Sequence, residues 1–185
     1  MDKQVALIGS GNAFFKDEGI GLYGAKYLKE NFIFTPTLEI VDGGTLGFKL
    51  MPLLQEFDEV IIINTASDDE KEVGDITVKT TDEFLEGTLV KKTANEVEIA
   101  EMLQICSMSQ KVANTTVISI VPKDILSVEV DMSVELRVRW EAYIKTILDE
   151  IKKLGIEVKE KDTKMTLDEI LDIFANPSIE FERGF

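Results

Sequence analysis

The chain has 185 residues, 44% of them hydrophobic, and a formal net charge of −15 from 35 acidic against 20 basic side chains. That size and content fit one globular domain with a sizeable core. The charge argues against nucleic acid and against an anionic membrane surface as partners, because both are held by basic patches.

Apolar runs of strand length alternate with longer segments of helical period, the pattern of crossover helices between parallel strands. The first strand is predicted over residues 4–8 and ends in Gly9-Ser-Gly11. Two adjacent carboxylates, Asp17 and Glu18, come just before a helix predicted over 19–30, whose buried stripe is Leu22, Ala25 and Leu28. A second strand over 37–41 closes in Asp42-Gly-Gly-Thr45; the glycines permit a sharp turn, and Thr45 is placed to cap the next helix. That helix, 46–57, carries Pro52 as an internal kink. Strands follow at 59–64 and, along an edge, at 76–80.

A third helix is predicted over 96–112, a last sheet strand over 115–121 and a long helix over 133–154, stopped by Gly155. Residues 156–159 have strand character. Thr166-Leu-Asp-Glu169 has the capping-box pattern, so 165–175 is read as a short helix, ended by Asn176-Pro177. The division is a main α/β domain over 1–159 and an appendix over 160–185, packed on it through Ile179, Phe181 and Phe185. A charged n-region before a long apolar segment is absent, and apolar runs such as 60–63 are far below spanning length, so no signal peptide and no transmembrane helix are expected. The lone Cys106 cannot form an internal disulfide and sits among Met102, Leu103 and Ile105, as a core thiol would. An intracellular, cytoplasmic protein is the natural reading.

Gly9-Ser-Gly11 after a strand, with Asp42 ending the next strand, raises the possibility of a dinucleotide fingerprint. The third glycine position holds Phe14, about ten residues separate strand from helix, and Asp17 and Glu18 would repel a pyrophosphate. A nucleotide-binding module is therefore the least favoured of three readings. The better account has the glycine loops and the strand end at Asn64 meeting at the carboxyl edge of the sheet, where open α/β folds keep their ligands.

The order Gly9-x-Gly-Asn12, Asp17-Glu-Gly-Ile-Gly21, Asp42-Gly-Gly-Thr45 and an apolar strand ending near Asn64 resembles the hydrogenase maturation endopeptidases. Thr93-Ala-Asn-Glu-Val97, Ser119-Ile-Val-Pro122 and Met132-Ser-Val-Glu135 extend the similarity, which spans about residues 4–157. These proteases trim the C-terminal extension of the [NiFe] hydrogenase large-subunit precursor after nickel insertion. The resemblance implies a three-layer α/β fold with a twisted, mostly parallel sheet. It also implies a divalent-metal site that senses the substrate's nickel, built from an acid in the first loop, an aspartate at a strand end and a histidine before a helix. Glu18 matches the first position, whereas Asn64 and Asn95 stand at the other two.

Amides offer neutral oxygens to a metal and do not titrate, so such a site would bind transition metals poorly and would lack a general base. No tightly bound cofactor is expected. Two functions follow from the resemblance: a degenerate precursor-processing protein with impaired or absent proteolysis, and a non-catalytic chaperone or scaffold for a hydrogenase subunit. Each residue also has a purely structural reading. Glu18 would favour a helix N-terminus, Asp42 would stabilise its own turn, and Asn64 and Asn95 would be hydrogen-bonding residues, Asn95 as an N-cap.

Overall fold

A computed structural model describes residues 3–86, 93–109 and 111–178. The elements are β1 (Val5–Ser10), α1 (Ile20–Asn31), β2 (Phe32–Thr35), β3 (Glu39–Gly44), α2 (Met51–Glu56), β4 (Glu59–Thr65), β5 (Ile76–Thr80), α3 (Thr81–Glu86), α4 (Ala94–Ser107), β6 (Asn114–Ile120), α5 (Val134–Lys153), β7 (Glu157–Glu160) and α6 (Leu167–Ala175). Two 3-10 turns, Lys16–Gly19 and Gly47–Leu50, lead into α1 and α2.

Five strands form one sheet in the order β3-β1-β4-β6-β5, parallel except where β5 runs antiparallel on β6. Side chains alternate across it. Leu7, Ile61, Ile63 and Ile118 pack with Tyr23 and Leu28 of α1, Trp140 and Tyr143 of α5 and Ile170 of α6. Ala6, Ile8, Ile62 and Val117 pack on the other face with Leu54 of α2, Phe84 of α3 and Leu103 and Cys106 of α4. Both faces are covered, which is why β1 and β4 are buried along their whole length and apolar over 5–8 and 60–63. This is the three-layer α/β fold with a mostly parallel sheet, and Cys106 is the buried thiol expected.

Several predicted elements differ from those observed. Residues 32–35 form a strand absent from the sequence reading, because β2 pairs antiparallel with β7 in a separate two-stranded ribbon whose two halves lie far apart in the chain. The second strand runs on into the glycines, with Ser10 opposite Gly44 across a register shift. The helix predicted over 46–57 is a 3-10 turn followed by α2, and Pro52 lies in the first turn, where its missing N–H costs nothing, rather than at a kink. Thr45 caps no helix by its side chain. Residues 81–86, unassigned from sequence, form α3.

Residues 157–160 form β7, one residue on from the predicted 156–159, and α6 begins from the Thr166 capping box. Phe174 of α6 meets Tyr23 of α1 edge to face at 5.2 Å. Asn31 fastens the approach to α6, accepting from Met165 N–H at 2.6 Å and donating to Met165 O at 2.9 Å. Ile179, Phe181 and Phe185 lie outside the described residues. Among the described residues no helix is long and apolar enough to cross a membrane.

Candidate functional site

The loop after β1 is shaped by close approach. Gly11 has φ +148°, and a Cβ there would collide with the Glu18 carbonyl, which accepts a hydrogen bond from Asn12 N–H at 3.1 Å. Gly9 and Gly21 let α1 sit directly on β1, since a Cβ on either would strike the other element's backbone. The glycines that suggested a phosphate loop therefore serve contact between a strand, a loop and a helix.

The two carboxylates of this loop have opposite surroundings. Asp17 is fully buried and accepts four hydrogen bonds: from Ser133 N–H at 2.6 Å, Ser133 Oγ at 2.8 Å, Asp124 N–H at 2.8 Å and Lys123 N–H at 2.9 Å. It pins the segment joining β6 to α5 onto the first loop. Glu18, only 8% exposed, faces a cleft instead. Burial raises its pKa above the ordinary carboxylate value and the Glu96 charge adds to this, while a hydrogen bond with the Thr93 side chain pulls the other way.

Thr93 and Glu96 were not singled out from the sequence as a pair. They form the capping box that opens α4: Thr93 Oγ1 accepts from Glu96 N–H at 3.1 Å, and Glu96 Oε2 accepts from Thr93 N–H at 3.2 Å. Thr93-x-x-Glu96 carries the same signature as Thr166-x-x-Glu169, so the signal was present. Asn95 is not the N-cap. Glu96 also accepts from Ser67 N–H at 2.6 Å and from Ser67 Oγ at 3.1 Å, tying the chain beyond β4 to α4.

Both amides are engaged with serines. Ser10 Oγ lies 3.1 Å from Asn95 Oδ1 and 3.0 Å from its Nδ2, which is also 3.5 Å from the Gly44 carbonyl. Asn64, fully buried at the end of β4, accepts from Ser119 Oγ at 2.6 Å through Oδ1, and its backbone carbonyl accepts from Tyr143 Oη at 3.3 Å. Its Nδ2 has no hydrogen-bond partner, the one buried side-chain polar atom so placed among the described residues.

Glu18 and Asn95 line one cleft of about 270 Å³ together with Thr93, Glu98, Phe15 and Leu126. Asn64 is not part of its lining. Asp42 is also elsewhere: it is exposed, accepts from Gly44 N–H at 3.1 Å within its own turn, and borders a separate groove between α1 and α6. The convergence expected of four residues thus holds for two.

The donor set suits a transition metal poorly. A single carboxyl group, its pKa raised by burial, is matched only with two neutral amides, and the amide oxygens are already within hydrogen-bonding distance of serine hydroxyls. Nickel and zinc favour imidazole, thiolate and carboxylate. Among the described residues no group of three or more His, Cys, Asp or Glu side chains is arranged to hold a metal ion.

A family model described as hydrogenase maturation protease matches residues 23–150, which takes in Asp42, Asn64 and Asn95 and begins just beyond Glu18. Protein HydD of Wolinella succinogenes is 27% identical over 146 residues, covering 77% of this chain and 91% of that protein. The hydrogenase expression/formation protein HupD of Rhizobium leguminosarum is 25% identical over 182 residues, covering 97% and 88%. Among solved structures, the hydrogenase maturating endopeptidase HybD of Escherichia coli superposes with a TM-score of 0.78 at 19% identity, covering 85% of this chain and 98% of that one.

Proposed function

The chain belongs to the hydrogenase maturation protease family, and within it we propose that this member binds the [NiFe] hydrogenase large-subunit precursor in the cytoplasm without cutting it. The observation that carries this reading is the engagement of both amides: Asn64 with Ser119 and Asn95 with Ser10. Where the resemblance implies an aspartate and a histidine, this chain has side chains that carry no charge and exchange no proton. Glu18 alone remains as a candidate ligand, with its pKa raised by burial. The nickel of the precursor is then cargo of the bound partner, held by that partner's own ligands. Glu18 and Asn95 become the floor against which the precursor rests, Asn64 is a buried residue at the end of β4, and Asp42 is a turn residue.

The test pairs a metal titration with a processing assay. Titration with Ni²⁺, Zn²⁺ or Cd²⁺ is expected to show no saturable binding tighter than surface carboxylates provide. Incubation with nickel-loaded precursor is expected to give a complex whose C-terminal extension is intact by mass spectrometry. A micromolar one-to-one metal site, or release of the extension, overturns the reading in favour of a working protease.

A further inference from the structure

The mouth of the Glu18 cleft is a rigid ribbon that nonetheless displays large apolar side chains to solvent. Phe15 bridges Glu129 in parallel pairing, with Glu129 N–H donating to Phe14 O at 3.0 Å and Lys16 N–H to Glu129 O at 2.9 Å. Asp17 fixes the base of the ribbon through its four bonds. Asp124, its carboxyl held down at about 2 by Ser127 Oγ and the Ser127 and Leu126 N–H groups, fixes the bend that carries Leu126. Lys16 spans the pair, 3.2 Å from Glu129 and 3.9 Å from Asp124.

On this pinned frame Phe14 is 65% exposed, Leu126 83% and Val128 77%. The register sets Phe14 beside Val128, and Leu126 lies on the cleft rim with Glu18 and Glu98. Among the described residues neither glutamate pairs with a lysine or arginine, and no basic side chain lines the cleft. Ordered, exposed apolar groups beside acids that have no basic partner among the described residues are complementary to a segment that is apolar and cationic. A second copy of a chain carrying −15 would be repelled from such a surface.

We infer that Phe14, Leu126 and Val128, with Glu18 and Glu98 beside them, form a preformed docking face for a protein segment in which aliphatic side chains neighbour lysine or arginine. This rests on the proposed role at that site and names the chemistry of what it receives. The ribbon is ordered before the partner arrives, so little conformational entropy is lost on docking. The aromatic Phe14 is the anchor expected to matter most.

The test uses the full chain, the hydrogenase large-subunit precursor, and two short synthetic peptides of equal aliphatic content, one with lysine and arginine and one with aspartate and glutamate. The wild-type protein is expected to bind precursor and basic peptide, but not the acidic peptide. The surface variant Phe14→Ser/Leu126→Ser/Val128→Ser is expected to weaken both interactions by about tenfold or more with an unchanged melting temperature. Glu98→Gln is expected to weaken only the salt-sensitive part. Full-strength precursor binding by the triple variant overturns the docking face and leaves the precursor role intact. Binding of the basic peptide without the precursor upholds the face and overturns the precursor as its occupant. Binding of the acidic peptide, or a wild-type dimer that the triple variant abolishes, overturns the assigned chemistry.

Discussion

Asp17 and Glu18 are consecutive carboxylates in one 3-10 turn, yet they belong to two regions built on different principles. On the Asp17 side both carboxylate oxygens are engaged, and the donors come from the start of α5 and the segment before it. On the Glu18 side the acid faces a cleft, the Thr93 hydroxyl answers it, and the neighbouring Glu96 charge opposes its ionisation. Sequence adjacency therefore says nothing about shared function: one side is a fastening, and the other lines a cleft. The fastening also serves the site, because it orders the ribbon at the cleft mouth.

The contrast can be broken most forcefully at Asp17. Asp17→Ala strands three backbone N–H groups, that of Ser133 buried and those of Lys123 and Asp124 partly so, and the Ser133 hydroxyl, which also caps α5 by accepting from Leu136 N–H. A loss of roughly 3 kcal/mol or more is expected in urea denaturation, from the desolvation left uncompensated when a charged acceptor is removed. Asp17→Asn keeps the shape and is expected to lose clearly less. A cost near zero for Asp17→Ala would mean that the two regions do not differ as described.

The cleft side is probed next by restoring the ligand types that the resemblance implies, with Asn64→Asp and Asn95→His together. In the absence of metal the new carboxylate is fully buried at the end of β4, and a destabilisation of about 2 kcal/mol is expected. Cd²⁺ or Zn²⁺ should then reverse it and bind one to one, which the wild-type protein should not show. A folded double variant that gains no metal binding would put the site's register in error.

The uneven legibility of the sequence has physical causes. The parallel sheet was readable because the middles of β1 and β4 are buried on both faces and so read as apolar runs, 5–8 and 60–63, with a shorter one at 117–118 in β6. β2 alternates between half-buried and exposed positions, β7 is exposed at all but Val158, both are short, and each depends on a partner that no local pattern announces. Pro52 was visible, but its place in the first turn of α2 depended on a helix start that Thr45 did not provide. At the site, the chemistry of Glu18, Asn64 and Asn95 could be weighed from residue type alone. The serine partners could not, since Ser10 and Ser119 lie on strands distant in sequence from the amides they meet. Asp42 was misplaced because a strand end near a cleft and a strand end in it look alike in one dimension.

The smallest effect, and the one that reads the cleft most directly, is the pH dependence contributed by Glu18. Its folded-state pKa is raised above the ordinary value of 4.5, first by burial and then by Glu96, with the Thr93 hydrogen bond as a partial offset. Between 4.5 and the raised value the folded protein binds more protons at this position than the unfolded chain does. Stability therefore falls as pH rises through that window, and is not lost on acidification as it would be for a carboxylate with a depressed pKa. Glu18→Gln retains an oxygen for the Thr93 hydroxyl and cannot titrate. Its unfolding free energy relative to wild type should be flat below pH 4.5, should move in favour of the variant as pH rises through the window, and should level off above it. Parallel curves across the whole range would show Glu18 to be as well solvated in the cleft as in the unfolded chain. The division between a fastened and an open carboxylate would then have to rest on Asp17 alone.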